Sequence, residues 1–296
     1  MILLTGATGF LGKIILDRLH SEVLWTLGRS KGSSIVCDFA SYVPVLPALN
    51  LVIHAAGKAH IVPKSGPERE NFYMVNVQGT NNLLTALEQA PALPKSFVFI
   101  SSVAVYGKDT GLLINEETTL SASDPYGISK IKAEQIIQEW CAKNYVTCAI
   151  LRLPLIAGPN PPGNLRAMIH GIQKGYYFNI AGGKARKSIV LAEDVARIIP
   201  KVAEVGGIYN LTDGFHPSFK ELSLVITKQL GKKPPGNIPG LLAKAVAKVG
   251  DILGRRAPIN SIKLKKITSD LTFDDSKACK NLGWNPASVL EGFKIR

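Results

Sequence analysis

Short apolar runs alternate along the first half of the chain with longer segments in which apolar residues recur at helical spacing. The short runs predict strands at Ile2–Thr5, Val23–Leu27, Leu51–His54, Ser96–Ser101 and Thr147–Leu153. The longer segments predict helices at Leu11–His20, Glu70–Gln89 and Tyr126–Lys143. Strands that alternate with helices form parallel sheets covered on both faces. The pattern therefore predicts an α/β fold with an open, doubly wound parallel sheet.

The alternation breaks after residue 153, where prolines and glycines crowd the next stretch of the chain. This change predicts a crossover into a smaller and less regular lobe. Ile189–Val202 carries a further apolar run and Ile208–Leu211 a short strand, so we expect 189–211 to return to the main sheet. The expected division is a first domain over 1–153 and a partly interleaved second lobe over 154–188 and 212–296.

Composition excludes several classes of protein. The 296 residues are 46% hydrophobic and 19% charged, which excludes disordered, collagen-like and small disulfide-rich chains. The net charge is +13, but residues 1–150 hold 12 basic and 12 acidic residues, leaving 23 basic and 10 acidic of the totals of 35 and 22. The excess positive charge thus lies in the second half. Nucleic acid, an anionic membrane and a phosphorylated small molecule all remain possible partners.

The cysteines and the start of the chain give no sign of metal binding or of export. Cys37, Cys141, Cys148 and Cys279 are far apart, with no CxxC pair and no histidine at metal-ligand spacing. We therefore expect reduced structural thiols and no metal. Met1 leads directly into the first strand without a charged segment, and no apolar run reaches the ~18 residues that span a bilayer. A cytoplasmic protein is expected.

A glycine-rich turn, GATGFLG, follows the first predicted strand and opens the first predicted helix. Glycines at this spacing allow a tight turn and close backbone approach to a pyrophosphate, whose charge the helix N-terminal N–H groups meet. The order strand, turn and helix predicts a Rossmann dinucleotide-binding site. Its predicted cofactor-binding residues are Gly6, Thr8, Gly9, Phe10, Leu11 and Gly12. The alternative is a glycine-rich turn that binds nothing.

The end of the second strand bears on the choice of cofactor. NAD enzymes place an acidic residue there for the adenosine ribose, whereas this chain has Arg29 and Ser30. A cation and a hydroxyl at this place suit the 2′-phosphate of NADP, which we therefore favour over NAD. Asp38 either accepts a hydrogen bond from the adenine amino group or caps a helix.

A third motif suggests proton transfer. The apolar run from Phe97 ends in Ser102, and Pro125 later starts a helix that places Tyr126 and Lys130 on one face, four residues apart. Tyrosine, with a pKa of ~10, can move a hydroxyl proton when a nearby ammonium lowers that pKa. A serine hydroxyl can hold the reacting oxygen. This combination predicts chemistry on an alcohol or ketone.

These motifs occur in an order that resembles a known family. TGATGFLG is followed by VIHAAG at 52–57, VNVQGT at 75–80, SSVAVYG, PYGISK, LRLPLIAGP at 151–159 and LGWNP at 282–286. The chain resembles, over nearly its whole length, the extended short-chain dehydrogenases/reductases. The resemblance is strongest to their NAD-dependent epimerase/dehydratase branch, which acts on nucleotide sugars.

The resemblance implies roles for individual residues. Tyr126 would be the acid/base, Lys130 would orient the cofactor ribose and tune the tyrosine, and Ser102 would bind the reacting oxygen. Ala55, Ala56, Gly57, Asn76 and Ser101 would join Tyr126 and Lys130 at the cofactor, Asn76 having a structural alternative. Asn164, Arg166, Arg186 and Lys187 would contact the nucleotide-sugar substrate, or else be solvated surface residues. The family also implies a homodimer through the helices at 70–89 and 126–143.

Three departures narrow the expected reaction. Val103 and Ala104 stand where sugar 4,6-dehydratases carry an Asp-Glu pair, which disfavours elimination. Leu155 stands where 4-epimerases usually have the asparagine of an Arg-x-x-Asn-x-x-Gly-Pro stretch. An epimerase keeps its cofactor through oxidation and re-reduction, whereas a reductase takes up a new NADPH in each turnover. Arg29, which suits NADPH, therefore favours net reduction over epimerisation. The favoured hypothesis is an NADP-dependent reductase that acts at C4 of a nucleotide-linked 4-keto hexose. We expect this sugar also to be 6-deoxy or N-acetylated.

Other readings stay open at this point. The runner-up is a 4-epimerase of UDP-glucose or UDP-N-acetylglucosamine, and a reductase of a non-sugar ketone is more remote. A dinucleotide sensor or a nucleic-acid-binding protein is disfavoured, because the catalytic residues are intact and no nucleic-acid motif is present. His54 and His60 are expected to be structural. The basic, amphipathic stretch Leu241–Arg256 either rests weakly on an anionic membrane or packs as a core helix of the substrate lobe.

Overall fold

The computed structural model describes residues 1–19, 23–59, 63, 65–253 and 259–295. Its strands are β1 Ile2–Thr5, β2 Leu24–Gly28, β3 Ile35–Val36, β4 Leu51–His54, β5 Ser96–Ser102, β6 Gly111–Ile114, β7 Thr147–Leu153, β8 Leu155–Ala157, β9 Asn179–Ile180, β10 Ile189–Leu191, β11 Gly207–Asn210, β12 Asn237–Ile238 and β13 Leu271–Phe273. Its helices are α1 Phe10–Arg18, α2 Gly66–Tyr73, α3 Gly79–Glu88, α4 Pro125–Asn144, α5 Gly163–Lys174, α6 Ala192–Val205, α7 Phe219–Leu230, α8 Gly240–Leu253, α9 Ser261–Thr268, α10 Ser276–Leu282 and α11 Val289–Gly292.

Seven parallel strands form the central sheet in the order β11-β7-β5-β4-β1-β2-β3. The predicted α/β fold with a doubly wound parallel sheet is confirmed. The strand order reverses between β1 and β4, so the chain leaves the carboxyl ends of these two strands in opposite directions. In open α/β sheets this reversal creates the crevice in which ligands bind.

Helices cover both faces of the sheet. On one face, α1 and α6 pack their apolar sides against Leu4, Val98 and Leu151. On the other face, α3 and α4 bury Leu83, Ile137 and neighbouring side chains against Val52 and Phe97. Both layers exclude water, which explains why the central strands read as continuous apolar runs instead of alternating ones.

The region 189–211 supplies β10, α6 and β11. β11 joins the central sheet beside β7 in parallel, and α6 packs on β5 and β7. β10 does not join that sheet: it pairs with β8 in a separate two-stranded sheet. The expectation that the apolar run starting at Ile189 enters the main sheet is therefore wrong for β10, because the chain first pairs with the strand that follows Pro154. The domain division itself stays a prediction.

The helix predicted at 70–89 is interrupted by a π-helical turn at Met74–Gln78, which separates α2 from α3. Thr80 Oγ1, at the start of α3, donates to the carbonyl of Asn76 in this turn at 2.7 Å. Helical spacing alone cannot reveal such a turn, since it arises from tertiary contacts of its side chains. Turns of this kind are frequent at functional sites.

A buried polar network ties the sheet to the C-terminal part of the chain. Glu134 on α4 accepts hydrogen bonds from Arg152 on β7, with Nη2 to Oε2 at 2.8 Å, and from the Ser101 hydroxyl at 2.5 Å. Arg152 also donates to the Tyr106 hydroxyl at 3.1 Å, and Tyr106 donates to Asn210 at 2.8 Å. A charge pair in this position is stable only while both partners and their hydrogen bonds remain.

We expect Glu134→Ala to lower the free energy of unfolding by about 3–5 kcal/mol, because it leaves the Arg152 guanidinium buried and unpaired. Urea unfolding followed by circular dichroism measures this loss. Glu139→Ala, at an exposed position on the same helix, is the matched control. The double variant Glu134→Leu with Arg152→Met should lose less than Glu134→Ala does. A loss below about 1 kcal/mol for Glu134→Ala would contradict the assignment.

Candidate active site

The loop after β1 is shaped for close approach of a phosphate. Gly6 has a φ of +75°, and a side chain there would lie 2.6 Å from the Ala56 nitrogen. A Cβ at Gly12 would lie 2.0 Å from the Gly6 carbonyl oxygen, so only glycine lets α1 pack this close to the loop. Gly9 precedes α1 without a side-chain cap, which leaves the first N–H groups of the helix free of such a partner. These features fit a dinucleotide pyrophosphate.

A cavity of about 650 Å³ lies over this loop, at the reversal between β1 and β4. Several predicted cofactor residues line it: Gly6, Thr8, Gly9, Arg29, Asp38, Ala55, Ala56 and Gly57. Sequence reasoning missed the remaining lining residues, which are Leu27, Gly28, Phe39, Ala40, Ser41, Pro67, Glu70, Asn71, Met74 and Val75. Half of these lie at the end of β2 or directly after Asp38, next to residues that were predicted. The other half belong to α2 and the π-helical turn, for which the sequence carried no signal.

The other predicted cofactor residues lie behind or beside the cavity. Leu11 and Gly12 are buried in α1, and Phe10 packs partly against the core. The Ser30 hydroxyl accepts a hydrogen bond from the Gly32 nitrogen at 3.4 Å, within its own turn. Ser101 is directed to Glu134, as described above. Their direct contact with a cofactor stays a prediction.

Asn76 lies in the π-helical turn and is almost fully buried. Its amide oxygen accepts from the Lys58 nitrogen at 2.7 Å, and its amide nitrogen donates to the Lys58 carbonyl at 3.1 Å and to the Ser129 hydroxyl at 2.8 Å. A Cβ added at Gly57 would lie 3.2 Å from this amide oxygen. Asn76 therefore holds the chain that follows β4 against α4, which supports the cavity wall.

Ser102, Tyr126 and Lys130 come together as the sequence suggested. Asp124 caps α4 by accepting from the nitrogens of Tyr126 and Gly127, both at 3.1 Å, which fixes the phenol at the first turn. The Ser102 hydroxyl, at the end of β5, lies near enough to the Tyr126 phenol to lower the pKa of that phenol. Lys130 donates to the Ile100 carbonyl at 2.8 Å and lies 4.3 Å from the centre of the Phe99 ring.

Burial dominates the electrostatics of this trio. It raises the pKa of Tyr126, and the nearby Ser102 hydroxyl offsets the rise only in part. Burial also lowers the pKa of Lys130 to about 8, against the opposing effect of the Glu134 carboxylate. The sequence predicted that a nearby ammonium lowers the pKa of the tyrosine. In the folded chain burial acts in the opposite direction and is the largest influence on the pKa of Tyr126.

Residues next to the trio line two cavities. On one side, a Cβ at Gly57 in the cofactor cavity would lie 3.4 Å from Lys130 Nζ. On the other side, Val103, next to Ser102, lines a second cavity of about 550 Å³. Its walls are mostly apolar and include Leu155, Met168, Phe178, Phe219, Ile267 and Phe273. Ser102, Tyr126 and Lys130 themselves are not among the residues that line either cavity.

The predicted substrate residues divide into two pairs. Asn164 and Lys187 line the second cavity. Lys187 donates to the carbonyls of Lys266 and Ser269, both at 3.0 Å, and burial lowers its pKa. Arg166 and Arg186 are not among the residues that line it. Arg186 donates to the carbonyls of Phe215 and His216 instead. Successive residues of an extended segment point to opposite sides, so the side chains of Arg186 and Lys187 diverge.

His54 is buried and neutral. Burial lowers its pKa to about 3, and its ring bonds Thr5 at 2.7 Å and Thr80 at 3.0 Å while stacking on Phe99. These contacts agree with the expected structural role. His60 lies outside the described residues. Among the residues that are described, no group of three or more His, Cys, Asp or Glu side chains is placed to hold a metal.

Comparison with known proteins finds one matching family model and individual proteins of similar sequence. Residues 2–212 match the model of the NAD-dependent epimerase/dehydratase family. The chain is 27% identical over 311 residues to the N-acetyl-alpha-D-glucosaminyl-diphospho-ditrans,octacis-undecaprenol 4-epimerase of Escherichia coli O157:H7, covering 98% of this chain and 92% of that one. It is 28% identical over 320 residues to the UDP-glucose 4-epimerase of Vibrio cholerae, covering 99% and 93%.

Among solved structures, the chain is similar to the UDP-glucose 4-epimerase of Thermotoga maritima with UDP-glucose. The TM-score is 0.73 at 21% identity, with 98% of this chain and 95% of that chain covered. At this level of identity the likeness shows the fold.

The lowered pKa of Lys130 predicts a pH dependence. As the pH rises through about 8, the lysine loses the charge that stabilises a developing phenolate, so kcat/KM should fall. Lys130→Arg should move this alkaline limb to higher pH, since a guanidinium keeps its proton. Lys132→Arg, exposed on the same helix, should leave the limb in place. A limb that does not move in Lys130→Arg would contradict its assignment to Lys130.

The same pKa predicts a stability effect with a defined sign. A pKa lowered from 10.5 to about 8 means that the unfolded chain binds more protons than the folded chain between these values. Lys130 therefore contributes stability that is present above pH 10.5 and is lost as the pH falls through about 8. In a Lys130→Met variant, the corresponding rise of the unfolding free energy between these pH values should be missing.

Proposed function

Since the chain belongs to the NAD-dependent epimerase/dehydratase family, we propose that it reduces a nucleotide-linked 4-keto hexose at C4, with NADPH as the hydride source. The observation that carries the proposal is the grouping of Tyr126 with Ser102 and Lys130, next to residues that line the two cavities. A protonated phenol is the form that donates a proton to a carbonyl oxygen. An oxidation would need the phenolate first.

The residues of the trio have separate tasks in this reaction. A nicotinamide cofactor, when bound, supplies the hydride to the carbonyl carbon. The Ser102 hydroxyl donates a hydrogen bond to the carbonyl oxygen and holds it near Tyr126. Tyr126 donates its phenolic proton to that oxygen as negative charge develops there. The Lys130 ammonium, held by the Ile100 carbonyl, stabilises the phenolate that remains.

The walls of the second cavity favour a substrate with few free hydroxyls at its far end. An apolar wall leaves a buried hydroxyl without a hydrogen-bond partner, which is costly. A 6-deoxy or N-acetylated hexose presents a methyl or an acetyl group instead. Lys187 and Asn164, which line the same cavity, are the proposed contacts to the diphosphate end.

A second candidate is a 4-epimerase, favoured by the two relatives that carry this activity in their names over nearly the whole chain. Its substrate would be a UDP-sugar or a sugar diphosphate carried on a polyprenol. A reductase of a non-sugar ketone is the more distant alternative. We also propose that the protein acts in the cytoplasm as a homodimer through the helices at 70–89 and 126–143.

Turnover assays distinguish these candidates. With a UDP-4-keto-6-deoxy hexose, we expect one NADPH consumed per sugar reduced. Tyr126→Phe should lower kcat by about 10²–10⁴-fold, because it removes the proton that the phenol donates. Tyr145→Phe, at an almost fully exposed position, is the control. The opposite outcome is that the protein interconverts UDP-glucose and UDP-galactose, or their N-acetyl forms, without net NADPH consumption. That outcome would contradict the reductase proposal and support the 4-epimerase. If Tyr126→Phe changes no turnover, Tyr126 is not the acid/base, and a dinucleotide sensor becomes the leading alternative.

Arg29, in the wall of the cofactor cavity, should select NADP over NAD. We expect Arg29→Ala to weaken NADPH binding by about tenfold or more while changing NADH binding little, because a charge-assisted hydrogen bond is worth about 1.5–3 kcal/mol. Fluorescence titration with each dinucleotide measures both constants. Lys31→Ala, two residues away and not in the cavity wall, is the matched control. Equal losses for NADPH and NADH would contradict a 2′-phosphate contact.

A further inference from the structure

Helix α8 turns its large apolar side chains away from the protein. It contacts the rest of the chain through small residues, since Ala243, Ala247 and Gly250 are the buried positions of the helix. Leu241 is 84% exposed and Ile252 is 87% exposed. The other exposed apolar residues of α8 are Leu242, Val246, Val249 and Leu253. From the sequence, the stretch that contains α8 could be either a core helix of the substrate lobe or a helix on the surface. The exposure of these side chains makes α8 a surface helix.

The exposed apolar residues form one continuous face. Each residue of an α-helix advances by about 100°, so Leu241, Ile252 and Val246 mark an arc of roughly 140°. The three small buried residues lie on another side of the helix. Lys244 and Lys248 run along one border of the apolar arc. A wide apolar arc with lysines at its border is typical of helices that lie in a membrane interface.

Helix α9 packs beside α8 and extends the positive charge. Its Leu264 is buried against Ala243 and Ala247. The two helices carry five lysines, at 244, 248, 263, 265 and 266, against the single acid Asp251. The Asp251 carboxylate accepts from the Ser261 nitrogen at 2.9 Å and from its hydroxyl at 2.5 Å, within the helix pair. Lys266 also pairs with Asp109, at 2.8 Å.

We propose that this α8–α9 surface, defined by the exposed apolar residues of α8 and the lysines of both helices, docks the protein on an anionic phospholipid membrane. The apolar arc would lie at the boundary of headgroups and acyl chains, and the lysines would meet the lipid phosphates. A second copy of the chain fits less well, because its own α8–α9 surface would add five more lysines to the contact and no compensating excess of acidic residues. Nucleic acid matches the lysines but not the apolar arc.

Docking in this way would bring the second cavity close to the lipid. Lys266 and Ile267 of α9 line that cavity, and Ile180 belongs both to its wall and to the apolar cluster under α8. Among the described residues, no helix has the length and apolar character needed to cross a membrane. The proposed association is therefore peripheral, through one face of one helix pair.

Sedimentation with lipid vesicles tests the proposal. The full-length protein is mixed with phosphatidylcholine vesicles that contain or lack phosphatidylglycerol, and the bound fraction is measured at low and high salt. We expect about tenfold stronger binding to the anionic vesicles, weakened by salt. Leu242→Ser with Ile252→Ser, and separately Lys244→Glu with Lys248→Glu, should each reduce this binding by about tenfold, because one removes apolar contact and the other reverses the charge.

Matched controls change the same residue types elsewhere. Val45→Ser with Leu112→Ser alters exposed apolar positions, and Lys143→Glu with Lys280→Glu makes the same change in net charge. Both controls should bind like the unchanged protein. Equal binding to neutral vesicles, equal losses in the controls, or no vesicle binding at all would overturn the proposal. So would a concentration-dependent dimer that Leu242→Ser with Ile252→Ser abolishes while lipid binding persists.

Discussion

The buried carboxylate of Glu134 is the contact on which both the fold and the site depend. It neutralises Arg152 inside the sheet layer and receives the Ser101 hydroxyl at the end of β5. It also supports the charge of Lys130, four residues earlier on the same helix. Because a buried charge is stable only with its partners in place, this one position couples the packing of α4 on the sheet to the electrostatics of the catalytic trio.

The same desolvation that makes this coupling necessary also acts on the two titratable groups of the trio. Burial opposes charge on Tyr126 and on Lys130 alike, so it raises one pKa and lowers the other. The result is a phenol that keeps its proton at neutral pH, on the same helix as a lysine whose pKa is lowered to about 8. Such a pair suits proton donation to a carbonyl, which is the step the proposed reductase requires.

The surface has two functional regions with different demands. The crevice between β1 and β4 needs glycines where a phosphate must approach the backbone, and a Cβ at Gly6 or Gly12 would collide with backbone atoms there. The α8–α9 surface needs small residues on the side that packs, so that α8 can lie close while its leucines and Ile252 face outward. The basic half of the chain thus serves a cavity and a surface that share Lys266.

Much of this could be predicted from local patterns, because a βα turn and an i, i+4 pair are fixed by neighbours in the chain. The parallel sheet, the glycine loop and the Ser102, Tyr126 and Lys130 trio follow from such spacing. Only the tertiary structure decided that Lys187 and not Arg186 faces the cavity, and that α8 exposes its apolar arc. Side-chain orientation and burial depend on which distant segments pack together, and a pKa depends on burial, so neither is encoded in local spacing.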